Sequence, residues 1–249
     1  SADINIRMSE CVKDRSPHVM VVFGGPNITH TPLGYRRFFE THPSVDFNVP
    51  YQGEPPFVTL MKSYLDAGKD IALVRETPLD GVLAYDRAGG TVVTGKEDTR
   101  LKELDSIPSP YLTGLLDPFF ETFLIPIVET NRGCPYKCTF CAQGESSYSS
   151  LAFFSMDRVK EELKYIADRV KNTNILNLAD ANFGIVKRDM DIARLISDMT
   201  KERRYPRKFN TNWAKNQSKL FEMAKILNNC NIVVSLQSLD SAVLENVKR

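Results

Sequence analysis

From Phe123 onward, short apolar runs and segments of helical period take turns along the chain. Phe123–Thr130 is apolar. After Ser155, a residue suited to capping a helix, Met156, Val159, Leu163, Ile166 and Val170 recur at helical spacing. Asn174–Ala179 reads as a strand, and Ile192, Leu195, Ile196 and Met199 mark a second amphipathic helix. Lys208–Asn212 is a third strand, followed by a helix through Leu220, Phe221, Ala224 and Leu227. Asn231–Leu236 is a fourth strand, and another helix starts near Ser241. About four strand–helix units in roughly 125 residues imply a parallel sheet covered by helices. Such sheets carry their sites beyond the C-terminal ends of the strands.

The first of those strands runs into Asn131-Arg-Gly-Cys134-Pro-Tyr-Lys-Cys138-Thr-Phe140-Cys141. Three cysteines in a C-x3-C-x2-C run can converge on one metal site, and thiolate is the soft ligand of iron–sulfur clusters and zinc. Between Glu129 and Ser155 only Glu145 could serve as a fourth ligand, and a carboxylate suits a cluster poorly. Three protein ligands on a four-iron cubane leave one iron open. Electron-carrier clusters use four cysteines, and structural zinc sites are closed by four ligands.

The spacing, the Arg-Gly-Cys-Pro lead-in and Phe140 before the third cysteine resemble the signature of the radical S-adenosylmethionine (SAM) enzymes. The resemblance implies that Cys134, Cys138 and Cys141 hold a [4Fe–4S] cluster and that SAM chelates the open iron. One electron then cleaves SAM to a 5′-deoxyadenosyl radical, with a flavodoxin or ferredoxin as reductant. It also implies a partial (β/α)6 barrel with the cluster in this loop, of which the first four units are visible here. The chain is then expected to be an internal fragment, because both of its ends look cut.

The N-terminal part has a different pattern. Val19-Met-Val-Val-Phe-Gly24-Gly25 reads as a buried strand ending in a glycine turn, followed by a helix over Pro32–Thr41. Phe47–Tyr51 is a strand that ends at Gly53-Glu54, and Pro55–Ala67 holds a helix. Asp70–Ala72, Gly81–Leu83 and Thr91–Val93 read as short strands. The order strand–Gly-Gly, helix, strand–Gly-Glu resembles the C-terminal half of the Rossmann-like cobalamin-binding domain that precedes many radical SAM domains. That implies a cobalamin surface at Gly24, Gly25, Gly53 and Glu54, since glycine lets backbone approach a flat ligand. His18, His30 and His42 do not match that family's histidine loop. The expected layout is residues 1–96 as the partial cobalamin-binding domain, 97–120 as a linker and 121–249 as the radical SAM domain. The fold class is α/β throughout.

Candidate SAM contacts follow from position. Asp180-Ala-Asn182-Phe183 resembles the family's Asp-x-Asn-Phe segment, which implies Asp180 and Asn182 near SAM or substrate; a turn cap is the alternative for Asp180. Asn210 and Asn212 share one strand face, where polar side chains inside a barrel are costly unless they bind something. Ser235 and Gln237 resemble the fourth-strand segment that approaches SAM, and Phe140 is implied beside it.

Composition narrows the rest. Of 249 residues, 42% are hydrophobic and 25% charged, as in globular proteins, and a formal net charge of +1 gives no electrostatic case for nucleic acid or membrane partners. Five cysteines, with Cys11 and Cys230 far apart, suggest free thiols and a reducing, cytoplasmic setting. The expected function is a radical SAM enzyme acting on a small-molecule or peptide substrate, with cobalamin-dependent methyl transfer as its outcome. A vestigial cobalamin domain serving a cyclisation or rearrangement is one alternative, and a non-catalytic iron–sulfur or zinc protein is another.

Overall fold

The computed structural model describes residues 2–25, 28–96, 100–144, 149–214, 220–228, 232 and 237–248. The expected strand over Asn231–Leu236, with Ser235, and also Cys230 and Glu145 lie outside the described residues, Ile232 excepted. The chain divides into two compact units, Ser1–Leu101 and Lys102–Arg249.

The first unit is a four-stranded sheet of order β1-β2-β3-β4, with strands Val22–Gly24, Phe47–Val49, Leu83–Asp86 and Thr91–Thr94. β1 and β2 are parallel, and β3 and β4 are added antiparallel. Helices α1 (Ala2–Arg15), α2 (Pro32–Thr41), α3 (Glu54–Asp66) and α4 (Ile71–Arg75) accompany them. Strand alternation sorts the apolar residues into two cores. Leu83 and Tyr85 pack with Ile6, Tyr35 and Phe39. Phe47, Val49, Val82 and Ala84 pack with Leu60 and Val74. The helices therefore cover both faces, α1 and α2 on one and α3 and α4 on the other.

Local signals explain the boundaries. Thr31 caps α2 by accepting from Gly34 N at 3.1 Å, with Pro32 in the first turn, where its missing N–H costs nothing. Asp70–Ala72 is not a strand. Asp70 accepts from Ala72 N and Leu73 N at 2.9 and 3.2 Å and so starts α4 instead. Asp46, 2% exposed, fastens the unit together: Lys13 of α1 approaches at 2.6 Å, Arg75 of α4 at 2.5 Å, and Val21 N donates at 2.8 Å.

The second unit carries a parallel sheet of order β5-β8-β9, made of Ile127–Val128, Ile175–Phe183 and Lys208–Trp213. A two-stranded antiparallel ribbon joins β6 (Asn131–Arg132) to β7 (Ala152–Phe153). Helices α5 (Met156–Arg169) and α6 (Arg188–Arg203) connect the parallel strands, and α7 (Leu220–Leu227) and α8 (Ser241–Asn246) follow. Ser155 caps α5 through Arg158 N at 3.1 Å. Val159, Leu163, Ile166, Leu176, Ile192 and Ile196, all at or near zero exposure, make the helix-side core.

The segment expected as a linker is packed structure from Lys102 on. Leu104 is fully buried, and Ser109 donates its hydroxyl to the buried Glu162, which also pairs with Arg158 at 2.7 Å. The Tyr111 hydroxyl donates to Ile127 O at 2.9 Å and accepts from Ile127 N at 3.0 Å, filling the side of β5 that faces away from β8. Prolines and polar residues made this stretch resemble a connector, yet its apolar residues are spaced to cover α5 and β5. Among the described residues, no helix is long and apolar enough to cross a membrane.

Candidate functional site

The cysteine run begins at the end of β6, and its loop returns to the fold at β7. Its base is the Asn131–Phe153 and Arg132–Ala152 ladder, extended by Phe154 N donating to Thr130 O at 3.0 Å. Cys134 and Cys138 are each 7% exposed, and Cys141 is exposed. Cys141 N donates to Cys138 O at 3.1 Å and Gly144 N to Cys141 O at 2.8 Å, so the last two cysteines sit on a tight turn. A Cβ at Gly144 would lie 2.2 Å from Cys138 O; only glycine fits there.

All three cysteines carry free thiols. Among the described residues, no three His, Cys, Asp or Glu side chains are gathered as a ready-made metal site. A thiolate metal site is drawn together by the metal as it binds. The donor set itself, three unoxidised thiols at one loop with a glycine-tightened turn, suits a thiolate-ligated cluster.

Strand β8 holds this loop. Asp180 has no exposed surface. Its Oδ1 accepts from Thr130 N at 2.7 Å and Asn131 N at 3.3 Å. Its Oδ2 accepts from Asn131 Nδ2 at 2.8 Å and from the Thr130 hydroxyl. Burial pushes its carboxyl up to about 6, against the opposing pull of the Thr130 and Asn131 hydrogen bonds. Asp180 was expected beside SAM, and the structure commits its carboxylate to the residues leading into the cysteines. Asn182, 8% exposed, donates from Nδ2 to Cys134 Sγ at 3.1 Å. Beyond β8, the buried Asp189 accepts from Gly184 N at 2.7 Å and Val186 N at 3.2 Å and fixes the turn into α6.

Of the other expected SAM contacts, Phe140 lies in the cysteine loop itself and Asn212 reaches the backbone of Asp180, while Ser235 lies outside the described residues. Asn210 and Asn212 do share the exposed face of β9; Asn210 donates to Asn177 Oδ1 at 3.0 Å, and Asn212 reaches Asp180 O at 3.5 Å. Phe140 is 52% exposed, and Gln237 is exposed in the left-handed region with φ of 66°. Thr130 and Asn131 are the residues sequence reasoning missed. Their signal was present: polar side chains directly after an apolar strand, where burial demands partners.

In the first unit, β1 ends at Gly24 and α3 begins at Glu54, after β2. Because β1 and β2 are parallel neighbours, both turns lie on one sheet edge. Gly24, Gly25, Gly53 and Glu54 all line a groove there of about 510 Å³, with Val22, Val49, Tyr51 and Phe57 among its walls. A Cβ on Gly24 would sit 3.2 Å from Val49 O, and Gly25 has φ of 90°. His18, His30 and His42 do not line the groove, although His30 sits edge-on to Tyr51 at 4.7 Å.

No protein-family model matches the chain. Over 98% of its length it is 34% identical to the cobalamin-dependent radical SAM methyltransferase TokK of Streptomyces tokunonensis. It is also 34% identical, over 98% of its length, to the 2-(S-pantetheinyl)-carbapenam-3-carboxylate methyltransferase of Streptantibioticus cattleyicolor. The chain belongs to the radical SAM superfamily, in the group with a cobalamin-binding domain. It spans 36% of the length of each of these two relatives. Its fold is similar to that of OxsB, a cobalamin-dependent radical SAM enzyme solved with aqua-cobalamin and SAM. That likeness has a TM-score of 0.68 at 17% identity, covering 99% of this chain and 35% of the other.

Proposed function

We propose that this chain is the cofactor-binding portion of a cobalamin-dependent radical SAM methyltransferase. Its first unit is read as the C-terminal half of a Rossmann-like cobalamin domain, and its second as the opening units of a partial (β/α)6 barrel. The observation that carries the reading is the C-x3-C-x2-C loop at the C-terminal edge of a parallel sheet, with Cys134 tied to that sheet by Asn182. The identity to two methyltransferases along nearly the whole chain supports it.

In this reading Cys134, Cys138 and Cys141 hold a [4Fe–4S] cluster. Bound there, the cluster supplies the electron that cleaves SAM, and the corrinoid supplies a methyl carrier. The protein binds, orients and shields. Asp180 fixes the backbone at Thr130 and Asn131, so the loop starts from a rigid base. Gly24 and Gly25 keep the groove wall free of side chains, and Gly53 and Glu54 form its second lip. Phe140, Asn210, Asn212, Ser235 and Gln237 are assigned to SAM. The methyl acceptor is a small molecule, and the carbapenam class named for one relative is the first to test. A cytoplasmic setting, with a flavodoxin or ferredoxin as electron donor, suits the free thiols.

Anaerobic reconstitution tests the reading. About four irons and four sulfides per chain are expected, with an electron paramagnetic resonance spectrum that changes on adding SAM. Corrinoid absorbance should survive gel filtration. Tightly bound zinc without iron would overturn the radical reading, and SAM binding without corrinoid would overturn the methyl-carrier part.

A further inference from the structure

The hydrogen bond from Asn182 Nδ2 to Cys134 Sγ, 3.1 Å long, joins two buried side chains. Asn182 stands two residues after Asp180 on the same strand, and both side chains are buried. The pair therefore grips the start of the cysteine run twice. Asp180 holds the backbone at Thr130 and Asn131, and Asn182 holds the sulfur itself. The Nδ2 of Asn182 is thereby engaged with the ligand cysteine.

The chemistry of this contact changes when Cys134 becomes a thiolate. An amide N–H donated to a negatively charged sulfur is charge-assisted, stronger than its neutral counterpart. The amide oxygen would repel the same sulfur, so ionisation leaves one favourable orientation. Hydrogen bonds to the sulfurs are among the factors that set the reduction potential of an iron–sulfur cluster. An N–H bond favours the more electron-rich, reduced state.

We propose that Asn182 is a positioning residue that fixes Cys134 Sγ and raises the reduction potential of the cluster bound through it. This rests on the cluster reading above. Asn182→Leu removes the donor at similar volume. The reconstituted variant should keep its iron while its midpoint potential falls. A tenfold loss in the equilibrium for reduction, about 59 mV for one electron, is the expected scale. A wild-type measurement guards against a variant that does not fold. In protein labelled with 15N only at asparagine, pulsed electron paramagnetic resonance of the reduced cluster should detect a weak 15N coupling. An iron-loaded variant with unchanged potential, or a loaded wild type with no asparagine coupling, overturns this proposal alone. A wild type that binds no iron overturns the cluster reading and this proposal together.

Discussion

Asp180 is where a single substitution should separate two opposing forces. Its carboxyl sits at about 6 instead of 3.8 because burial outweighs four hydrogen bonds. That difference corresponds to about 3 kcal/mol at neutral pH. The sign follows from proton linkage. The folded state holds this proton more tightly than the unfolded one, so the group's contribution to stability is fullest below pH 4. It is lost as pH rises towards 6. Asp180→Asn removes the charge and keeps the volume. Its amide oxygen can still accept from Thr130 N and Asn131 N, and the Thr130 hydroxyl can turn to accept. Asn131 Nδ2 then faces another donor, and one buried donor left unpartnered costs about 1–3 kcal/mol. The variant should therefore be less stable than wild type by up to that amount near pH 4, and equal or slightly more stable at pH 8. Urea denaturation across pH 4 to 8, followed by tryptophan fluorescence from the buried Trp213, reads the difference. Asp180→Ala removes the acceptor of all four hydrogen bonds, leaving Asn131 Nδ2 only the Thr130 hydroxyl oxygen at 3.3 Å, and should be worse than Asp180→Asn at every pH. If the stability curves of wild type and Asp180→Asn run parallel across this range, the buried-charge reasoning is wrong.

Other substitutions probe the remaining features. Asp46→Ala strands Lys13 and Arg75 and should destabilise the first unit by about 3–5 kcal/mol, read as a lower denaturation midpoint. Gly144→Ala places a methyl against Cys138 O and should lower iron incorporation at unchanged thiol content, measured by iron assay after reconstitution. Alanine at Cys134, Cys138 or Cys141 should abolish the cluster absorbance, while alanine at Cys11 or Cys230 should leave it intact. Gly24→Val crowds Val49 O and narrows the groove, so corrinoid retention on gel filtration should fall several-fold while circular dichroism stays unchanged.

The elements that the sequence made legible are those whose local chemistry is redundant. Helix α2 has a cap, a first-turn proline and an apolar stripe, and its ends fall where these put them. Helix α1 was missed because only Ile6 and Ser9 of its residues are buried, too thin a stripe for a period to emerge. Helix α4 was read as a strand at Asp70–Ala72 because a four-residue apolar run, Ile71–Val74, fits either state, and only the Asp70 side chain decides between them. At the site, the cysteines announced themselves. The partnership of Asp180 with Thr130 and Asn131 did not, since the register of β5 against β8 brings together residues about 50 positions apart. Asn182 was picked out by the resemblance of its segment to the family's Asp-x-Asn-Phe, but its partner was not, because the geometry of the cysteine loop is not written in local sequence.

The Tyr111 hydroxyl has a consequence for assembly. Ile127 presents one N–H and one C=O on the side of β5 away from β8, and a single phenol oxygen satisfies both. A strand seeking to dock there finds its ladder already terminated and a ring in its path. Exposed strand edges are templates for unwanted association, and here a side chain does the blocking that a covering helix does in other folds. The two flanks of the parallel sheet thus differ: the β5 flank is a stop, closed by the Tyr111 hydroxyl.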